Sequence, residues 1–275
     1  MHGVLIRALA ADGAARALLV EAHRPADEAR RRHGLGPHAA RLTAEAMVAA
    51  ALLSAYLKGE EQLTLQVQGE SPRCALYVDQ TAEGHIRART TPARIPDEHL
   101  TGIMMAIKSV DGKELYRGAS RIEGSLEQAL AEHLGGSTQV DAVLRLHTRI
   151  DTDGSVIAAS GLLVERLPFE KGQPTLSPEA FDAQFRDLRD APAGPLMTEL
   201  AFGKLRGEPL QVLEKIALSW QCRCSRQRVS ATLRGLGNDE LQAMIDEDDG
   251  AEVTCHFCNE IYRFDAGELR ELIVE

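Results

Sequence analysis

The chain has 275 residues, 44% of them apolar, with 31 basic against 41 acidic side chains and a formal net charge of −10 at pH 7. That length holds one large domain and a small one, and the acidic balance argues against a nucleic-acid partner, which needs a concentrated basic surface. The longest uncharged apolar run, Ala46 to Tyr56, is too short to cross a bilayer and is interrupted by Ser54.

In chain order, Met1-His2-Gly3-Val4-Leu5-Ile6-Arg7 lacks the basic opening and continuous apolar segment of a secretory signal. His2 to Ala8 and Ala15 to Glu21 read as strands around the turn Ala11-Asp12-Gly13. From Pro37 to Leu57, the residues Leu42, Ala46, Ala49, Leu53 and Leu57 recur at helical spacing, and Gly59 follows the end. Leu63, Leu65 and Val67 alternate with polar residues, which predicts a strand with one buried face. Cys74 to Val78 and His85 to Ala88 form a predicted hairpin around Ala82-Glu83-Gly84. Further strands are expected at Gly102 to Lys108, Val143 to Ile150 and Ser155 to Ala158, with a helix from Leu126 to Leu134 and a turn at Asp151-Thr152-Asp153-Gly154.

The texture changes at Leu167-Pro168, because six of the eleven prolines fall between there and Pro209. Ser177-Pro178-Glu179 supplies an N-cap, a first-turn proline and an early acid, after which Phe181, Phe185 and Leu188 line one helical face. A second short helix is expected from Met197 to Phe202. A segment of this kind must dock its apolar face, yet is cut up enough to detach as a unit. The last stretch reads as a compact metal module. Ser225 caps a helix ending at Gly235, and Asn238 caps another with Leu241, Met244 and Ile245 inward. Cys255 to Cys258 forms a knuckle between short strands, and Asp265 starts a terminal helix. From Trp220 onward there are 6 basic and 12 acidic residues, a net of −6.

The predicted architecture is therefore α+β: a mixed α/β core domain over 1–170, a helical linker over 171–219 and a small zinc-binding domain over 220–275. Four of the five cysteines, Cys222, Cys224, Cys255 and Cys258, lie in that last domain as a C-x-C and a C-x-x-C pair thirty residues apart. Four thiolates brought to one point describe a tetrahedral zinc site. Without an export signal or scattered cysteines, the expected setting is a reducing cytoplasm, where such a cluster serves metal or redox chemistry. From spacing alone two readings stay open, a purely structural zinc or a zinc lost on oxidation, since thiolates are the form that peroxide attacks. A disulfide in the C-x-C pair would close a tight ring, and the C-x-x-C pair closes with less strain.

Other candidates are weaker. His256 lies inside the knuckle, but four cysteines already fill the site. Cys74 reads as a buried apolar residue in its strand. His33 and His38 flank the loop Gly34-Leu35-Gly36-Pro37 with no nucleophile to pair with, and the acid run Asp246-Glu247-Asp248-Asp249 reads as a solvated turn. There is no Gly-rich phosphate loop, nucleophile elbow or metal-hydrolase motif, so no enzymatic activity is expected.

Cys222-Arg223-Cys224-Ser225, then Leu233-Arg234-Gly235-Leu236-Gly237-Asn238-Asp239-Glu240-Leu241, then Glu252-Val253-Thr254-Cys255-His256-Phe257-Cys258 followed by Tyr262 and Phe264, closely resembles the switch module of the thirty-three-kilodalton heat-shock chaperone family. Weaker similarity covers Ala46 to Gly69 and Gly161 to Pro168. The chain departs from the family in the core, with Gly69-Glu70-Ser71-Pro72 in place of a Gly-x-Gly-Pro turn and no proline after Gly136-Ser137-Thr138-Gln139-Val140. The resemblance implies a redox-regulated holdase that needs no ATP. In its reduced form one zinc sits on Cys222, Cys224, Cys255 and Cys258 and the protein is inactive. Oxidation pairs Cys222 with Cys224 and Cys255 with Cys258, releases zinc, unfolds switch and linker, and exposes a surface for unfolding client proteins, with a homodimer as the active form. The alternative from a different class is a nucleic-acid-binding or adaptor protein with a structural zinc ribbon, for which Arg223, Arg226, Arg228 and Arg234 would form a basic strip.

Overall fold

An alanine-rich helix organises the N-terminal part of the chain. Helix α2 (Pro37–Ser54) starts with Pro37 in its first turn, after Gly36 in extended conformation, a place where the missing proline N–H costs nothing. Ala44, Met47, Val48, Ala51 and Leu52 are all buried, as are side chains on every other side of it, which marks a helix enclosed by its protein. Its two buried hydroxyls are satisfied: Thr43 donates to the Ala39 carbonyl at 2.6 Å and meets Thr90 at 2.6 Å, and Ser54 accepts from Gln80 at 2.7 Å.

This computed structural model describes residues 2–96, 99–138, 141–168, 174–191, 196–197, 200 and 203–273. The chain divides into two units, Met1–Gln221 and Cys222–Glu275. In the first, α2 packs with α1 (His23–His33) and α3 (Leu126–Thr138) against one large sheet. The strands are β1 (Gly3–Ala10), β2 (Ala15–Glu21), β3 (Gln62–Ser71), β4 (Cys74–Thr81), β5 (His85–Thr91), β6 (Leu100–Val110), β7 (Lys113–Gly124), β8 (Ala142–Ile150) and β9 (Val156–Arg166). After the linker helix α4 (Pro178–Phe185) come a small hairpin, β10 (Lys204–Leu205) and β11 (Glu208–Pro209), and then β12 (Gln211–Trp220). The sheet runs β7-β6-β3-β4-β5-β12-β1-β2-β9-β8. Every neighbouring pair is antiparallel except β12 and β5, which meet in parallel over Ser219–His85 and Trp220–Ile86.

Alternation divides the half built from β1, β2, β9 and β8 into two apolar faces. Leu5, Leu18, Val20, Leu144 and Leu163 face the helices. Ala8, Ala17, Leu19, Val143, Leu162 and Val164 face the other way and form a second buried cluster with Phe181, Phe185, Leu188, Leu200 and Leu205 of the linker. Ser177 caps α4 by accepting from the Ala180 amide, and Arg186–Leu188 continue it as a 3-10 turn.

Several elements differ from the sequence expectation for identifiable reasons. Helix α1 was not expected because it is charged almost throughout; only Pro25, Ala26 and Ala29 are buried. It is held by Asp27–Arg30 at 2.6 Å and Glu28–Arg32 at 2.7 Å and stops at left-handed Gly34. Strand β7 is an outer edge strand with Ile122 as its fully buried apolar residue, so its pattern carries little signal. Strand β9 continues to Arg166, beyond the expected end at Ala158. The segment expected as a helical linker ends in β12, which pairs with β1 from Leu218–Gly3 to Gln211–Leu9; Val212 and Leu213 on it are exposed, so no alternation announces it. Of the helix expected from Met197 to Phe202, Met197 and Leu200 are helical and the rest lies outside the described residues. Among the described residues no helix is long and apolar enough to cross a membrane.

The second unit holds α5 (Arg226–Arg234), α6 (Asn238–Asp248), a hairpin of β13 (Gly250–Thr254) and β14 (Ile261–Asp265), and α7 (Ala266–Leu272). Gly237 rather than Asn238 occupies the cap position of α6, and the acid run Asp246 to Asp248 is the exposed last turn of that helix, closed by left-handed Asp249. Asp265 and Glu268 form a reciprocal capping box on α7. The core is small: Leu233, Leu241, Ile245, Phe264, Leu269 and Leu272 carry most of it.

The close approach of α2 to β9 rests on Gly161, where an added Cβ would fall 2.5 Å from a Val48 methyl and 3.1 Å from Leu52. Gly161→Val should destabilise the first unit by about 1–3 kcal/mol through overpacking, read as a lower denaturation midpoint with metal content unchanged.

Candidate metal centre

The β13–β14 hairpin places two of the sulfurs. Its ladder runs from Gly250–Asp265 to Thr254–Ile261. The loop beyond is tied by Cys255 N–H donating to the Glu260 carbonyl at 2.9 Å and Asn259 N–H donating to the Cys255 carbonyl at 2.8 Å. Asn259 takes a left-handed φ of 56°, which asparagine tolerates better than most residues. This knuckle turns Cys255 and Cys258 to the same side. Cys222 and Cys224 lie just before α5, where Ser225 accepts from the Arg228 amide and the Arg228 guanidinium donates to the Arg223 carbonyl at 2.8 Å. Packing of α5, α6 and α7 then brings the two motifs together.

The sulfurs of Cys222, Cys224, Cys255 and Cys258 all lie within 4.8 Å of one another. Cys222 and Cys255 are 3.7 Å apart, Cys224 and Cys258 3.3 Å, and none of the four is in a disulfide. A zinc ion held tetrahedrally at about 2.3 Å from four sulfurs sets them about 3.8 Å apart, so the donor set fits that ion in number, type and spacing. Electrostatics lead to the same place. Burial pushes the Cys224 and Cys258 thiols up, so this cluster can carry several thiolates only around a cation.

Around the sulfurs, Tyr262 on β14 donates its hydroxyl to Cys224 Sγ at 3.1 Å. That bond, more than burial, raises its own phenol, and it orients the sulfur as outer-shell partners do for metal ligands. Sequence reasoning quoted Tyr262 without giving it a role; the signal was its place two residues before buried Phe264, on the same face of the strand. His256 is exposed and outside the cluster. Cys74 is buried in β4, in the other unit, with its thiol pushed up by burial. His33 lies at the end of α1 and His38 in the first turn of α2, both in the first unit. Of the basic strip, Arg226 is engaged within its own unit: it donates to the Arg263 carbonyl and to Glu268 and lies 4.3 Å over the Phe264 ring.

Two outcomes follow. Chelating the metal from the reduced protein should abolish helical signal and amide protection over 222–273 while the large sheet persists, because such a site supplies about 10–16 kcal/mol of folding free energy to its domain. Tyr262→Phe should weaken metal binding by about tenfold, measured by competition with a chromophoric chelator.

Comparison with known proteins gives a consistent answer. The profile of the Hsp33 protein family matches residues 3–265. A 33 kDa chaperonin from Bacillus licheniformis is 31% identical over 282 residues, covering 98% of each chain. Another from Symbiobacterium thermophilum is 32% identical over 290 residues, covering 99% of this chain and 97% of that one. The crystal structure of a 33 kDa chaperonin, a heat shock protein 33 homologue from Thermotoga maritima, superposes with a TM-score of 0.84 over 98% of this chain and 97% of its own at 23% identity, which establishes the shared α+β fold. The chain belongs to the Hsp33 protein family, a family of molecular chaperones and not of enzymes.

Proposed function

We propose that this protein is a redox-regulated holdase of the cytoplasm that binds unfolding proteins under oxidative stress without ATP, and that Cys222, Cys224, Cys255 and Cys258 are its zinc ligands and its switch. The observation that carries the reading is four sulfurs within 4.8 Å of one another in a unit with a small core. When bound, zinc keeps the four sulfurs as thiolates and ties the two motifs together. Each cysteine pair gives two electrons to a peroxide, which is reduced to water as one sulfur–sulfur bond forms between Cys222 and Cys224 or between Cys255 and Cys258. A disulfide needs sulfurs about 2.05 Å apart, so small movements within the cluster suffice. Once both bonds have formed no thiolate is left to bind metal, and the unit loses its main source of stability.

The effect reaches the first unit along the chain, since β12 ends at Trp220, just before Cys222. The proline-broken segment before β12 then leaves the sheet and uncovers the apolar face of Ala8, Ala17, Leu19, Val143, Leu162 and Val164. That face, with Phe181, Phe185 and Leu188 released from it, is the surface we assign to unfolded clients. Dimerisation of the oxidised form would pair two such surfaces. The zinc-ribbon alternative is disfavoured by the −6 charge from Trp220 onward and by the engagement of Arg226 within its own unit.

The test is light scattering from a thermally unfolding client. The peroxide-treated protein should suppress aggregation and the reduced, zinc-loaded protein should not; equal suppression by both would mean a constitutive holdase with a structural zinc. Replacing Cys255 and Cys258 together with serine should remove the dependence on oxidant, because that variant can neither hold the metal nor form the second disulfide, and full peroxide-dependent activation of it would refute the scheme.

A further inference from the structure

The apolar face under the linker is closed by more than apolar contact. Arg145 lies on β8, an edge strand of the large sheet, on the same side as Val143 and therefore toward the linker. Its Nη1 lies within hydrogen-bond distance of three backbone carbonyls at the end of the linker's helical segment, which share its two N–H groups: Leu188 at 3.0 Å, Arg189 at 2.8 Å and Ala191 at 2.5 Å. Those carbonyls lie where the helical turns end, among the described residues no backbone amide donates to them, and the negative end of the segment's dipole falls there too. A cation supplied from another element is thus the cap of this segment. Arg206, which reaches the Gln184 carbonyl, belongs to the linker itself and does not tie it to the sheet.

Arg145 is itself held in place. Its side chain is 15% exposed, and its Nε lies 3.5 Å from Glu127 Oε1 in the first turn of α3. The other oxygen of Glu127 accepts the Leu146 amide at 2.5 Å, a backbone donor of the same strand. The carboxylate therefore ties down the strand and sits beside the guanidinium that projects from it as an ion pair. Arginine suits the task because its rigid, weakly hydrated guanidinium loses less freedom per hydrogen bond formed, while a lysine ammonium is a strongly hydrated charge on a flexible stem.

We infer that Arg145 is a latch: a positioning residue that holds the linker segment on the sheet in the reduced state and sets how readily oxidation releases it. The inference rests on the reading that this segment leaves the sheet on activation. An arginine bonded to three carbonyls contributes to the closed state alone, since water takes its place when the segment is off. Losing it should raise the detached population on the order of tenfold to a hundredfold.

The test uses the full-length protein, reduced and zinc-loaded, as Arg145→Met and Arg145→Lys variants, followed by hydrogen exchange. In Arg145→Met, amides over 181–188 should exchange at least tenfold faster, with a smaller increase in Arg145→Lys, while α2 and β9 keep their protection and the zinc is retained. Unchanged exchange over 181–188 overturns the latch. Equal acceleration across α2 and β9 also overturns it, since Arg145 would then be holding the core and not the linker. The same samples are tested for suppression of client aggregation without oxidant. Faster exchange with suppression supports both the latch and the client surface. Faster exchange without suppression supports the latch and overturns the assignment of clients to the uncovered face.

Discussion

Four sulfurs confined within 4.8 Å can be thiolates together only around a cation. This electrostatic condition governs the C-terminal unit. Its apolar core rests on a few residues from three short helices and one strand, too little to replace a metal site in a chain of this size. The chemistry that makes the sulfurs good ligands also makes them good nucleophiles. In the proposed function, stability and reactivity are therefore held by the same four atoms, and a change in sulfur oxidation state would at once be a change in folding free energy.

The large sheet shows a matching asymmetry. One face is covered by α2, a continuous helix buried on all sides, with α1 and α3 beside it. The opposite face of β1, β2, β9 and β8 is covered by a short capped helix, a 3-10 turn and a two-stranded hairpin. Both faces are apolar, so both need a cover, but the covers differ in cooperativity. Helix α2 cannot leave without dissolving the core, whereas the linker segment has its own N-cap at Ser177, and in the proposed function it moves as a unit. Arg145 adds a directional polar contact to this largely apolar cover.

Where local pattern and tertiary role agreed, the sequence was legible. Alternation in Leu63, Leu65 and Val67 marked β3, helical spacing and Pro37 marked α2, and Ser177, Ser225 and Asp265 marked the starts of three helices through their caps. Where tertiary context overrode pattern, it was not. Helix α1 buries three small residues and is held by ion pairs, so no apolar stripe announces it. Strand β12 exposes Val212 and Leu213 and takes its place from β1, a partner some 200 residues earlier. Tyr262 and Arg145 carry no local signature because each acts through atoms distant in sequence, the Cys224 sulfur and the Leu188 to Ala191 carbonyls.

By itself the sequence determined the α+β class and which four cysteines form the cluster, because thiol chemistry and C-x-C and C-x-x-C spacing are local properties of the chain. Tertiary structure alone decided that the sulfurs meet within 4.8 Å, that Tyr262 supports one of them, and that β12 closes into the sheet. It also decided that Arg145 reaches the linker. The reason is the same in each case: these contacts join elements far apart along the chain, and their geometry is set by packing that no short window of residues contains.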